Sequence, residues 1–118
     1  MKFLYFTNNT KIINVLNPIN QIDTVFIDLE INGKMARQAN TNSLISEHNI
    51  QDISKVKDVI ENTKLGVRIN PINSNSKFEI NESIQRGAEV IMLPMFKTVD
   101  EVFKCLNIIN CLLYTSPS

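Results

Sequence analysis

Four polar side chains, set in two pairs with the same spacing, are the first candidates for chemistry in this sequence. Asp28 and Glu30 close the run TVFIDLE, and Arg68 and Asn70 close the run LGVRIN. A spacing of two puts both members of a pair on one face of a strand. Two carboxylates, a guanidinium and a carboxamide at one mouth suit a small anionic substrate, because the planar fork of an arginine matches a carboxylate. A plainer alternative is that Asp28 and Arg68 only form an ion pair between neighbouring strands. Lys34, Arg37 and His48 lie in the segment after TVFIDLE and could close over the same mouth. Read plainly, Lys34 and Arg37 are solvated charges and His48 is a loop or capping residue. The sequence has no phosphate-binding loop, no GxGxxG and no HExxH, and Ser43 and Ser46 sit in no nucleophile elbow.

The elements that must position these groups follow from hydrophobic period. Lys2–Phe6 reads as a first strand, Thr7–Asn9 as a turn, and Thr10 as the cap of a short helix carrying Ile12, Ile13, Val15 and Leu16. In Thr24–Glu30, Val25, Ile27 and Leu29 form an apolar face, while Phe26, Asp28 and Glu30 face the other way. Ile31–Asn49 is a long polar connection. Asn49 with Asp52 then looks like a capping pair for a helix with Ile50, Ile53, Val56 and Ile60 on one side. Leu65–Asn70 repeats the two-faced strand and stops at Pro71. Phe78, Ile80 and Ile84 mark a helix closed by Gly87. Val90–Leu93 is a strand ending at Pro94. Thr98 caps a last helix with Asp100 and Glu101 in its first turn and Val99, Val102, Phe103, Leu106 and Ile109 along it. Strand then helix, four times over and without hairpin signals, implies an α/β protein with a parallel sheet and right-handed crossovers. In such a layout the strand ends share one rim, and Pro94 joins Asp28, Glu30, Arg68 and Asn70 there.

Composition narrows the function. The chain has 118 residues, 43% apolar and 20% charged, with twelve basic and twelve acidic side chains. That is a globular composition of one domain. The absence of a basic excess argues against a nucleic-acid surface. No apolar run approaches the ~20 residues of a membrane span, and the first residues do not read as a signal peptide. Cys105 and Cys111 fit neither a CxxC redox pair nor a zinc knuckle, and Cys105 reads as a core thiol. These features point to the cytoplasm.

VFIDLE, VRINP and GAEVIMLPMFKTVDEV, in this order, resemble the HpcH/HpaI aldolase and citrate lyase β-subunit family. The resemblance runs to about Asn110. It implies a (β/α)8 barrel and carbon–carbon bond cleavage or formation through a pyruvate- or acyl-type enolate, on a small carboxylate or 2-oxo acid. It also implies magnesium or manganese, acting as a Lewis acid on the substrate. Carried onto this sequence, Arg68 would bind the substrate oxygen and stabilise the enolate charge. Asp28 and Glu30 would organise the rim, with Asp28 near the base or the metal-bound water. The catalytic set is then Arg68, Asp28, Glu30 and His48, and the substrate-binding set Arg68, Asn70, Lys34, Arg37 and Pro94. Two departures stand out. Ile31 takes the place of the His or Asp that follows the Asp-x-Glu motif in the family, with His48 as a stand-in. The family's metal carboxylates come from its fifth and sixth strands, so no metal ligand is expected in this chain.

A barrel of this kind takes eight strand–helix units and about 250 residues, and four units are legible here. The expectation is the truncated N-terminal half of a barrel over residues 1–110, inactive by itself, followed by a non-native tail over 111–118. CLLYTSPS resembles translated adapter sequence, and Tyr114–Ser118 receives no structural assignment. Two alternatives remain: a non-enzymatic half-barrel that self-associates through its open edges into a homo-oligomer, or another phosphate- or phosphoenolpyruvate-binding barrel enzyme.

Overall fold

Alternating strands and helices build one four-stranded sheet in the computed structural model, which describes residues 2–30 and 42–115. The strands are β1 (Phe3–Phe6), β2 (Ile22–Asp28), β3 (Lys64–Arg68) and β4 (Val90–Met92). The helices are α1 (Thr10–Leu16), α2 (Asn42–Val59), α3 (Ser76–Gln85) and α4 (Val99–Thr115). The sheet order is β1-β2-β3-β4 and every pairing is parallel. The α/β class and the parallel sheet read from the sequence are therefore observed. No helix of the described residues is long and apolar enough to cross a membrane.

The two faces of the sheet differ as the period-two pattern requires. Val25, Ile27 and Leu29, with Leu65, Val67 and Ile69, are buried in one cluster with Ile13 of α1, Ile53 of α2, Ile80 of α3 and Cys105 of α4. All four helices thus contribute to the core on that face. The opposite face carries the row Phe6–Phe26–Gly66–Val90, set side by side by the strand register, and takes no part in that cluster. On it the Phe6 and Phe26 rings stack at 5.0 Å.

Gly66 is required by that stacking. A Cβ there would stand 2.5 Å from Cε1 and 2.6 Å from Cδ1 of Phe26, whose side chain is 2% exposed and has little room to move. Gly66→Ala is expected to lower stability by ~1–3 kcal/mol. The readout is a lower denaturant midpoint at unchanged slope; an unchanged midpoint would mean the ring yields freely.

Local signals explain most helix ends. Asn9, not Thr10, caps α1: its Oδ1 accepts from the backbone N–H of Lys11 at 2.9 Å and of Ile12 at 3.4 Å. Asn17, buried after α1, donates to the Val59 carbonyl at 2.9 Å and accepts from the Glu61 N–H at 3.3 Å, so it satisfies groups left open where α2 ends. Gly87 takes φ +111° after α3, the left-handed conformation expected of it. Thr98 Oγ1 accepts from the Glu101 N–H at the start of α4.

Other expectations need correction. The connection read as reaching Asn49 ends earlier, because α2 already begins at Asn42. Asn and Ser are capping residue types, and a helix can start on them without an apolar period to announce it. Asp52 consequently lies inside α2 and caps nothing; its Oδ2 accepts from Asn8 Nδ2 at 2.8 Å. In α4, the residues read as the packing stripe include Val99, Phe103 and Leu106, which are 65%, 57% and 47% exposed. The core side of α4 is Cys105, Ile108, Ile109 and Leu112, so the expected core thiol Cys105 and Ile109 of the expected stripe do pack inward. Finally, α4 runs on to Thr115, into the stretch that received no structural assignment.

Candidate functional site

The parallel pairing of β2 with β3 places Asp28 directly beside Arg68, at the C-terminal end of both strands. The two meet as a bidentate pair: Arg68 Nε donates to Asp28 Oδ1 at 3.0 Å and Arg68 Nη2 donates to Oδ2. Asp28 Oδ1 also accepts from the Glu30 N–H at 3.0 Å, which folds the chain back just past the strand. Both side chains are about one-third exposed, so the pair contributes only ~1 kcal/mol to stability. Its value lies in geometry. The hydrogen bond that Arg68 donates to Asp28, opposed by burial and helped by the charges of Asp28 and Glu30, raises the pKa of Arg68 above its ordinary value. The guanidinium is further seated over the Phe6 ring, 4.8 Å from its centroid.

Arg68 is thus held by Asp28 on one edge and by an aromatic face beneath. Nε and Nη2 serve Asp28, while Nη1 has no partner among the described residues. Beside the pair, Phe6, Thr7, Asn8, Ile27 and Asp28 line a cavity of about 280 Å³ at the ends of β1 and β2. That lies just under the ~300–1,000 Å³ of drug-sized pockets and suits a ligand of few heavy atoms. Glu30 completes this rim: its Oε2 is buried with no hydrogen-bond partner among the described residues.

Asn70 occupies the rim but faces inward. Its Nδ2 donates to the Leu29 carbonyl at 2.9 Å and to both carboxylate oxygens of Glu79, at 3.2 and 3.1 Å, and its backbone N–H donates to Glu79 Oε1 at 3.0 Å. Glu79, in the first turn of α3 and 3% exposed, is the residue that sequence reading missed. It clamps the ends of β2 and β3 to the helix layer. Pro94 follows β4, half-buried. His48 lies within α2 rather than ahead of a helix, and its side chain is outside what is described. Lys34 and Arg37 lie outside the described residues. Of the expected set, the structure therefore brings Asp28, Glu30, Arg68 and Asn70 to one end of the sheet. Among the described residues no three His, Cys, Asp or Glu side chains come together as a metal site.

Burial raises the pKa of Glu79, against the lowering effect of the two Asn70 hydrogen bonds. The folded protein therefore holds this proton more tightly than the unfolded chain, whose ordinary value is 4.5. The Glu79 contribution to stability is fully present below that value and is lost as pH rises through the raised folded value. Glu79→Gln is expected to flatten the fall in stability above pH 4.5, read from denaturation midpoints across the pH range. The same slope in both proteins would remove Glu79 as its source.

A family model described as HpcH/HpaI aldolase/citrate lyase matches residues 2–112, most of the chain. No curated protein matches. Among solved structures, a response regulator from Thermotoga maritima is similar at a TM-score of 0.47 and 14% identity, over 96% of this chain and 99% of that one. At that score the likeness bears on neither fold nor function.

Proposed function

The chain belongs to the HpcH/HpaI aldolase/citrate lyase family, and from that premise we propose that its described residues form the N-terminal half of a carbon–carbon lyase site acting through an enolate. The observation that carries this reading is the open edge of Arg68. A guanidinium fixed by Asp28 and Phe6, with Nη1 unpartnered among the described residues, is a preorganised donor for an oxygen that gains negative charge. An enolate oxygen or the neighbouring carboxylate of a 2-oxo acid is such an acceptor. Preorganisation matters because donors already in place need no rearrangement as charge develops. Arginine stays charged in proteins, so the donor carries its full positive charge.

The architecture supports a half-barrel. Strands follow in sequential order, the helices pack on one face, and the other face carries Phe26, Gly66 and the site-bearing Arg68. In a barrel that second face looks inward and the rim at the strand C-termini carries the chemistry. The described residues do not fit a divalent ion on their own, since Asp28 is engaged by Arg68 and by the Glu30 N–H. What they supply is anion binding. Magnesium or manganese would need carboxylates from elsewhere.

The test is direct. Pyruvate titrated into ¹⁵N-labelled protein is expected to shift the Arg68 side-chain N–H signal saturably. A signal that stays in place while the cavity residues Thr7 and Asn8 also stay unperturbed defeats the reading.

A further inference from the structure

One peptide group joins the buried carboxylate of α3 to the guanidinium at the rim. The peptide between Leu29 and Glu30 uses both of its polar atoms for this. Its carbonyl, on Leu29, accepts from Asn70 Nδ2 at 2.9 Å. Its N–H, on Glu30, donates to Asp28 Oδ1 at 3.0 Å. The same Oδ1 accepts from Arg68 Nε, also at 3.0 Å. At the other end, Glu79 sets Asn70: its carboxylate accepts from the Asn70 backbone N–H and from Nδ2. Glu79 is itself tied down. It is 3% exposed, its backbone N–H donates to the Asn75 carbonyl at 3.1 Å, and its carbonyl accepts from Ser83 Oγ at 2.7 Å. An unbroken line of hydrogen bonds therefore runs from Glu79 through Asn70, the Leu29–Glu30 peptide and Asp28 to Arg68.

Holding the fold together does not require this line. α3 is already packed on the sheet by Ile80, and β2 is already paired with β3, down to the Leu29 N–H on the Arg68 carbonyl at 2.8 Å. A buried carboxylate costs free energy that an apolar side chain would not. What only the polar group supplies is a direction. The Leu29 carbonyl and the two Glu79 oxygens are all acceptors, so the side of Asn70 that meets them must be its NH2, and each of its two hydrogens has a partner there. That fixes the plane of the carboxamide and, with it, the tilt of the Leu29–Glu30 peptide. We propose that Glu79 is a positioning residue for the anion site: acting through Asn70 and this peptide, it sets the angle at which Asp28 holds Arg68, and so the direction in which Arg68 meets a ligand. The proposal rests on the reading of Arg68 as the anion donor and adds a residue that acts on it through others. Glu79→Gln isolates the effect. Glutamine has nearly the same shape but replaces one acceptor oxygen with a donor nitrogen. Asn70 Nδ2 then meets a donor or turns away from Leu29, the peptide loses its hold, and Asp28 and Arg68 gain play as a pair.

Two readouts on the 118-residue chain test this. In the ligand-free protein, Glu79→Gln is expected to speed exchange of the Arg68 Nε–H with water by ~3- to 10-fold, the worth of about one net hydrogen bond. Pyruvate affinity should fall by a similar factor. Ile80→Val is the control. It lies next to Glu79 in α3 and is fully buried, so it loosens the core without touching the line of hydrogen bonds, and it should move neither readout. Should Glu79→Gln not fold, the double variant Asn70→Leu with Glu79→Met, which leaves no buried carboxylate unpaired, carries the same test. Unchanged exchange at Arg68 in a folded variant overturns the proposal, and so does pyruvate affinity that stays at the wild-type level. Equal acceleration in Ile80→Val also overturns it, because Glu79 would then act only through stability. Faster exchange in Glu79→Gln alone, with no pyruvate bound by the wild type, upholds the positioning role and defeats the reading of Arg68 as the anion donor.

Discussion

Arg68→Lys is expected to weaken pyruvate binding by ~10- to 100-fold while leaving the chain folded. Lysine keeps the positive charge but loses the planar fork, so it cannot hold Asp28 with two donors and still offer a third edge to a ligand. In the native site those tasks are split among atoms: Nε and Nη2 serve Asp28, and Nη1 has no partner among the described residues. A hydrogen bond to a charged group contributes ~1.5–3 kcal/mol, so losing it weakens binding by ~10- to 100-fold. The stability cost is smaller. The pair is about one-third exposed, and exposed pairs contribute only ~0–1 kcal/mol. Loss of the contact with the Phe6 face adds a little more. The prediction is thus a large change in affinity with a small change in midpoint, measured on the same sample by titration and by denaturation. Equal affinity in the two proteins would show that charge alone binds the ligand and that the fork is irrelevant. Asp28→Asn sharpens the point: it leaves the guanidinium in place but frees it to swing, and should weaken binding without removing a positive charge.

Much of this site is legible in the letters because it depends on strands. Period two assigns Val25, Ile27, Leu65 and Val67 to one face without knowledge of the rest of the chain. Once the strands are parallel, Asp28 and Arg68 must arrive at the same end, and their register as direct neighbours follows from strands entering the sheet in step. Glu79 was not legible for the opposite reason. It sits between Phe78 and Ile80 in a short helix, where a charged residue ordinarily faces water. Its burial depends on Asn70, nine positions earlier and on another element, whose two donors compensate the carboxylate. The one available signal was the stripe Ser76, Glu79, Ile80 and Ser83, spaced for one helix face and buried throughout; its polar members disguise it. α4 failed differently. It has two apolar sides, and period alone does not say which one meets the sheet. The start of α2 was missed because the polar residues Asn42 and Ser43 open it and hydrophobic ones do not.

Ile53→Ala is the substitution from which the fold is least expected to recover. Ile53 is fully buried in α2, within the cluster that joins β2, β3 and the helices. Removing its branched side chain forfeits the transfer of the lost methyl groups and leaves a cavity that stiff neighbours such as Val25, Val67 and Ile80 fill poorly; such changes cost ~2–5 kcal/mol. Whole domains of this size are stable by only ~5–15 kcal/mol. Here that margin is drawn from one helix-covered face of a single sheet, so a loss in this range removes a large share of it. Phe103→Ala is the control, because it deletes a larger side chain that is 57% exposed. Ile53→Ala should lower the urea midpoint by several times the change at Phe103. Were the two equal, the core would not lie between the sheet and α2, and the helix layer could no longer be what holds Asp28 and Arg68 in register.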